Sequence, residues 1–307
     1  MASLKELSEK KDLFVSGHRL CPGCGAGIVA RQVLLAAKTP VVVVASTGCL
    51  EVASTIFPYS AWAVPWFHNA FENAASSVSG VEAAYKSLKK QGRIKKDIRF
   101  IAFGGDGGTY DIGLQALSGA VERGHRFLYI CYNNQAYMNT GIQRSSATPR
   151  GASTTTAPAG TVSQGKVQFQ KDLIGIMVAH QIPYAAAATV GKWNDFMSKV
   201  EKALDTDGPS FIDVLSPCRL GWRYPPEKTL EVGRLAADTC FWPLYEVVNG
   251  KYSLSYRPKE KKPITEWLKL QGRFKHLFKP ENKSLLEDIQ NHIDKRWEKL
   301  LKDNKAE

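Results

Sequence analysis

The sequence predicts an α/β fold, a parallel sheet with helices on both faces, followed by a C-terminal extension. Between residues 17 and 215, short apolar runs alternate with helical stretches, the order of βαβ units. These runs are apolar almost throughout rather than at every second residue, as in strands covered on both faces. One of them also leads through a glycine-rich turn, Gly104-Gly-Asp-Gly-Gly108, directly into a helix.

Taken in order, the pattern predicts a helix over 25–38, a strand over 41–45 and a helix over 70–91. A strand over 99–103, a helix over 111–123 and a strand over 127–132 follow. In that helix Leu114, Leu117 and Val121 recur at i, i+3, i+7 and form the buried stripe. The last βαβ units are a helix over 171–180, strands over 185–190 and 211–215, and a helix over 193–204 between those strands. Two segments break the rhythm. Residues 139–166 are polar and rich in Ser, Thr and Gly, and so long a loop in a compact domain is kept to cover a ligand or bind a partner. From Tyr224 the chain turns Pro-rich, then Lys/Glu-rich, and ends in an amphipathic helix over 284–301 with Leu285, Ile289, Ile293 and Trp297 on one face. The expected organisation is therefore an α/β domain over 1–221 and an arm for subunit contacts over 222–307.

With 307 residues, 44% hydrophobic and 23% charged, the chain is neither disordered nor low-complexity, and its length suffices for about two domains of ~150 residues. Its 41 Lys and Arg against 29 Asp and Glu give +12, which favours an anionic partner: nucleic acid, a phosphorylated cofactor, an anionic membrane or an acidic protein. No apolar run approaches the ~20 residues of a membrane span. The first ten residues carry mixed charge, so the expected location is cytoplasmic. In that reducing compartment the six cysteines are expected as thiols or ligands rather than disulfides.

Cys21-Pro-Gly-Cys24 opens the first helix, Cys49 follows the 41–45 strand and Cys218 follows the 211–215 strand. Loops at strand and helix ends can converge on one edge of a parallel sheet, so four thiolates can meet there. Four thiolates suit a 4Fe–4S cluster or a structural zinc, a lone CxxC also suits a redox dithiol, and simple burial is the fourth reading. Cys131, inside an apolar run, reads as a buried hydrophobe, and Cys240 is assigned no chemistry.

The glycine turn lets backbone N–H groups approach a phosphate. It is neither GxGxxG nor a P-loop, and its distinctive member is Asp106. A carboxylate facing a phosphate is repulsive unless a cation sits between them, and Mg²⁺ is the expected one. The next strand ends at Asn133-Asn134, which places Asp106 and Asn134 side by side at the C-terminal ends of neighbouring strands, where open α/β sheets bind ligands. An ordinary turn with a capping aspartate is the simpler alternative.

Gly105-Asp106-Gly107 with Asn133-Asn134 one unit later resembles the thiamine diphosphate signature. Combined with Cys21-Pro-Gly-Cys24-Gly, Thr47-Gly-Cys49 and Cys218, the chain resembles the 2-oxoacid:ferredoxin oxidoreductases. Within them it resembles the β subunit of pyruvate:ferredoxin oxidoreductase in its multi-subunit, archaeal-type form. Phe57-Pro-Tyr, Phe71-Glu-Asn, Asp111-Ile-Gly-Leu-Gln-Ala-Leu-Ser-Gly, Ala136-Tyr-Met-Asn-Thr-Gly-Ile-Gln-Arg-Ser-Ser and Trp267-Leu-Lys-Leu-Gln-Gly-Arg-Phe-Lys-His-Leu-Phe look like the same subunit, so the likeness runs nearly end to end.

The resemblance implies a chain that holds thiamine diphosphate, Mg²⁺ and one 4Fe–4S cluster. Asp106 and Asn134 would ligate Mg²⁺ by side chain and Ala136 by its carbonyl, while Gly105, Gly107 and Gly108 would line the diphosphate. Thr47, Gly48, Cys49, His68, Tyr137, Asn139 and Thr140 would border the cofactor, with Asn139 beside the reacting centre. Cys21, Cys24, Cys49 and Cys218 would ligate the cluster. The activity implied is oxidative decarboxylation of a 2-oxoacid, most simply pyruvate, to acyl-coenzyme A and CO₂, with electrons passing through the cluster to ferredoxin. Partner subunits would supply the activating glutamate and further 4Fe–4S clusters, so this chain would be half an active site. Another 2-oxoacid or oxalate is the alternative within the family, and a non-redox thiamine enzyme one outside it. A basic, zinc-stabilised nucleic-acid-binding protein explains the charge and the CxxC but leaves Asp106 and the asparagine pair unaccounted for. The expectation is no nucleic-acid partner.

Overall fold

The computed structural model describes residues 4–304; the outermost ends of the two expected units, 1–3 and 305–307, lie outside the described residues. Its strands are β1 (Val41–Ser46), β2 (Trp66–Asn69), β3 (Arg99–Gly105), β4 (Leu128–Asn133), β5 (Tyr184–Thr189), β6 (Ser210–Leu215), β7 (Tyr245–Val248) and β8 (Lys251–Leu254). They form one sheet in the order β2-β1-β3-β4-β6-β5-β7-β8. The first six run parallel, and β7 and β8 close one edge as an antiparallel hairpin. All five strands expected from the sequence are present. The short strands β2, β7 and β8 are additions to that expectation.

The helices are α1 (Leu4–Glu9), α2 (Gly25–Ala36), α3 (Cys49–Ser54), α4 (Ala74–Lys90), α5 (Leu114–Glu122), α6 (Leu173–Ala179), α7 (Trp193–Asp205), α8 (Arg219–Trp222), α9 (Thr229–Asp238), α10 (Ile264–Lys269) and α11 (Lys283–Asp303). Alternate residues of each central strand feed two separate cores. Ile101 and Phe103 meet α2 and α7 on one face, while Phe100 and Ala102 meet α4, α5 and α6 on the other. Burial on both faces is why these strands read as continuous apolar runs. Helix α4 starts at Ala74 rather than at 70, because β2 occupies 66–69 and a turn closed by Asn73 N–H on the Ala70 carbonyl intervenes. The helix expected from 111 is preceded by a π-helical turn, Gly107–Asp111, in which the Ile112 N–H reaches the Gly107 carbonyl.

The sequence boundary at 221/222 does not correspond to a break in packing. Strand β7 pairs with β5, so the C-terminal segment extends the same sheet. Trp222, Trp267 and Phe274, all fully buried, lie in the same core as α4 and α5. Helix α11 buries Ile289, Ile293 and Trp297 as its periodicity predicts, with Leu285 half-buried. Among the described residues no helix is long and apolar enough to cross a membrane.

Candidate active site

Strands β1 and β3 are neighbours, but the chain leaves them toward opposite faces: α3 packs into one core through Leu50, and Tyr110 of the π turn packs into the other. Such a divergence opens a crevice at the carboxyl ends of the strands. A cavity of about 280 Å³ lies there, bordered by Thr47, Gly48 and Cys49 after β1, by Gly105, Asp106 and Gly107 after β3, and by Asn134, Ala136, Tyr137, Asn139 and Thr140 after β4. The structure thus brings these expected cofactor residues together. It does not bring in His68, which stands exposed on β2, stacked on Trp66 with Nδ1 2.5 Å from Glu51 Oε1. Gly108 does not border the cavity, and a Cβ there would lie 2.8 Å from the Phe71 carbonyl oxygen.

Asp106 is fully buried, and burial pushes its carboxyl up to about 7 despite hydrogen bonds from the Ser145 hydroxyl and the Asn134 amide. The Asn134 side-chain oxygen stands 2.7 Å from the Ala136 carbonyl oxygen and 3.0 Å from Asp106 Oδ1. With its nitrogen turned toward them the amide donates to both; with its oxygen turned toward them, three oxygens converge in a set that a cation would satisfy. Octahedral Mg²⁺ binds oxygen at about 2.1 Å, which sets neighbouring ligand oxygens about 2.9 Å apart. With the amide oxygen turned inward, the donor set is one Mg²⁺ takes, and the two spacings of 2.7 and 3.0 Å suit neighbouring ligands. The Tyr132 hydroxyl, also at the cavity, is buried and finds no partner in the protein.

A second cavity, of about 300 Å³, has Cys21, Cys24, Cys49 and Cys218 on its wall. The loops meet because α2 begins against the segment after β6: the Gly25 N–H donates to the Pro217 carbonyl at 3.2 Å. A Cβ on Gly25 would lie 2.7 Å from the Ser216 hydroxyl, so only glycine permits the approach. Burial raises the Cys24 and Cys218 thiols and pushes Cys49 up to about 12, and the thiols' mutual repulsion adds to it. Opposing this, Gly27 and Ala26 amides at the start of α2 point at Cys24, and the Gly221 amide donates to Cys218 Sγ at 3.5 Å. Amides aimed at sulfur stabilise thiolate ligands. Among the described residues no three His, Cys, Asp or Glu side chains converge as for one metal ion; the four thiols border the shared space of the second cavity. Cys131 and Cys240 are buried elsewhere, as expected for the first.

Cys49, Asn134, Met138 and Asn139 belong to both cavities and form the wall between them. Asn139 hydrogen-bonds Cys49 there. The sequence reading missed the supports of this wall. Ser145 and Thr148, in the long 139–166 loop, bind Asp106 and the Gln135 carbonyl, and the Trp222 indole N–H donates to the Asn134 carbonyl at 2.7 Å. The polarity of the loop was the one signal for the first two, whereas nothing in the sequence links Trp222 to Asn134.

Residues 46–214 match the family described as thiamine pyrophosphate enzyme, C-terminal TPP binding domain. Over 97% of this chain and 95% of the relative, the sequence is 52% identical to pyruvate synthase subunit PorB of Thermotoga maritima. It is 47% identical to ketoisovalerate oxidoreductase subunit VorB of Pyrococcus abyssi over 94% of this chain and 92% of that one. A structure of 2-oxoglutarate:ferredoxin oxidoreductase from Magnetococcus marinus, with 2-oxoglutarate, coenzyme A and succinyl-CoA bound, shares the fold at a TM-score of 0.55 and 17% identity, covering 74% of this chain and 81% of that one. With a thiamine-binding domain across more than half its length and half its residues identical to a pyruvate synthase subunit, this chain belongs to the PorB family of 2-oxoacid oxidoreductase subunits.

Proposed function

We propose that this chain holds thiamine diphosphate, Mg²⁺ and a 4Fe–4S cluster in adjoining cavities, and with partner subunits oxidises pyruvate to acetyl-coenzyme A and CO₂. The observation that carries the reading is the wall shared by the two cavities, with Cys49 in both. Bound there, thiamine diphosphate supplies an electron sink for decarboxylation and the cluster a one-electron acceptor beside it. Asp106, Asn134 and the Ala136 carbonyl hold the cation, and the glycine turn gives backbone amides to the diphosphate. Asn139, on the wall of both cavities and hydrogen-bonded to Cys49, would stand at the reacting end of the cofactor. Cys21, Cys24, Cys49 and Cys218 ligate the cluster.

The mouth of the cofactor cavity, at Thr47, Asn139 and Thr140, is exposed, which supports a partner subunit covering it and supplying the activating glutamate. Partner subunits would carry the electrons on to ferredoxin, an acidic protein suited to a chain of charge +12, and coenzyme A would take the acyl group. Pyruvate is preferred to a branched 2-oxoacid because the nearer of the two relatives bears the pyruvate name, by 52% identity against 47%.

Viologen reduction by the assembled subunits, with coenzyme A and either pyruvate or 2-oxoisovalerate, tests the proposal. The expected result is a higher kcat/KM for pyruvate, no turnover by the isolated chain, and none by the assembly carrying Cys218→Ser. Preference for the branched acid would overturn the substrate, and turnover by the isolated chain the division of the site.

A further inference from the structure

Arg273 lies in the Gln-Gly-Arg-Phe stretch of the C-terminal segment and is 2% exposed. Its guanidinium carbon sits 4.0 Å over the Trp222 ring, 4.9 Å from that of Phe274 and 5.8 Å from that of Trp267. Nε donates to Gln271 Oε1 at 2.9 Å and Nη2 to Gln135 Oε1 at 2.6 Å. Both acceptors are neutral amides, and among the described residues no carboxylate pairs with it. A charge taken out of water without a counter-ion is among the least favourable things a fold can contain. Burial opposes this charge, but a guanidinium with an intrinsic pKa of about 13.8 keeps its proton.

The ionisable acids whose field would reach Arg273 when charged are Cys218, then Tyr224 and Asp106; burial keeps the Tyr224 phenol neutral, so Cys218, as a thiolate ligand, and Asp106 are the ones that matter. Cys218 and Asp106 belong to the two functional cavities, and the geometry explains why. Trp222, beneath the guanidinium, is one helical turn from Cys218 on α8 and donates to the Asn134 carbonyl. Gln135, held by Nη2, stands between Asn134 and Ala136. The cation is thus lodged behind the cluster ligands and the metal loop at once.

We infer that Arg273 is a buried counter-charge of the four-cysteine cluster, additional to Arg19 and Arg219 on the cavity wall, and raises its reduction potential. This rests on the reading that Cys21, Cys24, Cys49 and Cys218 hold a 4Fe–4S cluster. Reduction adds one electron, and so one unit of negative charge, to a cluster that already carries thiolate charge. A fixed positive charge in a dry environment favours that step. Arg273 does not touch the reacting atoms; it is a positioning residue that acts through the electrostatics of the site.

The test is a dithionite titration of the anaerobically purified complex, followed by electron paramagnetic resonance, with iron measured on each sample. Arg273→Gln removes the charge. Gln271→Glu supplies a carboxylate beside Nε, in place of an amide that also donates to the Trp267 carbonyl, and when ionised neutralises the guanidinium. Both are expected to shift the midpoint potential downward, and Arg273→Lys to leave it near that of the unmodified protein. Gln271→Glu carries the test alone if Arg273→Gln does not fold. Full iron content with an unmoved midpoint in Gln271→Glu would overturn the inference and reduce Arg273 to packing. Absence of iron from the unmodified complex would instead overturn the cluster reading beneath it.

Discussion

Asp213 shows how much of this site depends on single buried groups. It sits in the middle of β6, 1% exposed, and accepts hydrogen bonds from the Tyr110 hydroxyl and, at 3.2 Å, from Asn133 Nδ2. It thereby ties the π turn after the glycine motif to the residue before Asn134. Burial pushes its carboxyl up to about 7 against the lowering by those hydrogen bonds, and its charge helps to raise Asp106. The unfolded chain releases these protons near pH 3.9. Between about pH 4 and 7 the folded state therefore binds more protons, and stability falls as pH rises through that window. Metal-free protein is expected to unfold at a lower temperature at about pH 8 than at about pH 5.5. Asp213→Asn, which keeps an acceptor for Tyr110, is expected to narrow that gap in thermal unfolding by circular dichroism; an unchanged gap would contradict the assignment. The sequence marks Asp106 by its glycines but gives no sign of Asp213. Its partners come from β4 and the π turn, and only the pairing of Asp213 opposite Cys131 brings them within reach.

At the level of elements, the loop after β1 must fit the end of β4 before the crevice can hold a cofactor. Gly48 has extended backbone, so its conformation does not demand glycine. Tyr132 does: a Cβ on Gly48 would lie 2.4 Å from the Tyr132 hydroxyl, with the ring carbon behind it at 3.7 Å. Gly48→Ala is expected to cost about 1–3 kcal/mol, as overpacking of a filled interior does. Tyr132→Phe is expected to be nearly neutral, because the hydroxyl it removes has no partner in the protein, and to recover most of the loss in the double variant. Urea unfolding of the four proteins measures the coupling, and additive losses would contradict the account. The Thr47-Gly-Cys49 motif was legible, but its steric reason lies in a tyrosine from a strand two places away in the sheet. The four-residue strands β2, β7 and β8 were not legible, since strands of that length carry too few residues for a period to show.

For the whole molecule, the parallel sheet and its ligand-binding edge could be read from apolar runs and motif spacing, whereas the integration of the C-terminal segment could not. Residues 222–304 are rich in Lys, Glu and Pro, which reads as an arm. Yet Trp222, Phe241, Trp242, Trp267 and Phe274, scattered among those charges, join one core in the fold. That core holds Arg273 over Trp222, whose indole N–H donates to the Asn134 carbonyl, so the segment that looks peripheral in sequence supports the wall shared by both cavities. The central claim is that four cysteines from three loops hold a redox cluster beside the thiamine cleft. Its most direct test is the electron paramagnetic resonance spectrum of protein purified without air and reduced with dithionite, with iron and acid-labile sulfide assayed on the same sample. The account predicts a reduced 4Fe–4S signal with about four irons per chain; zinc without iron in protein never exposed to air would contradict it.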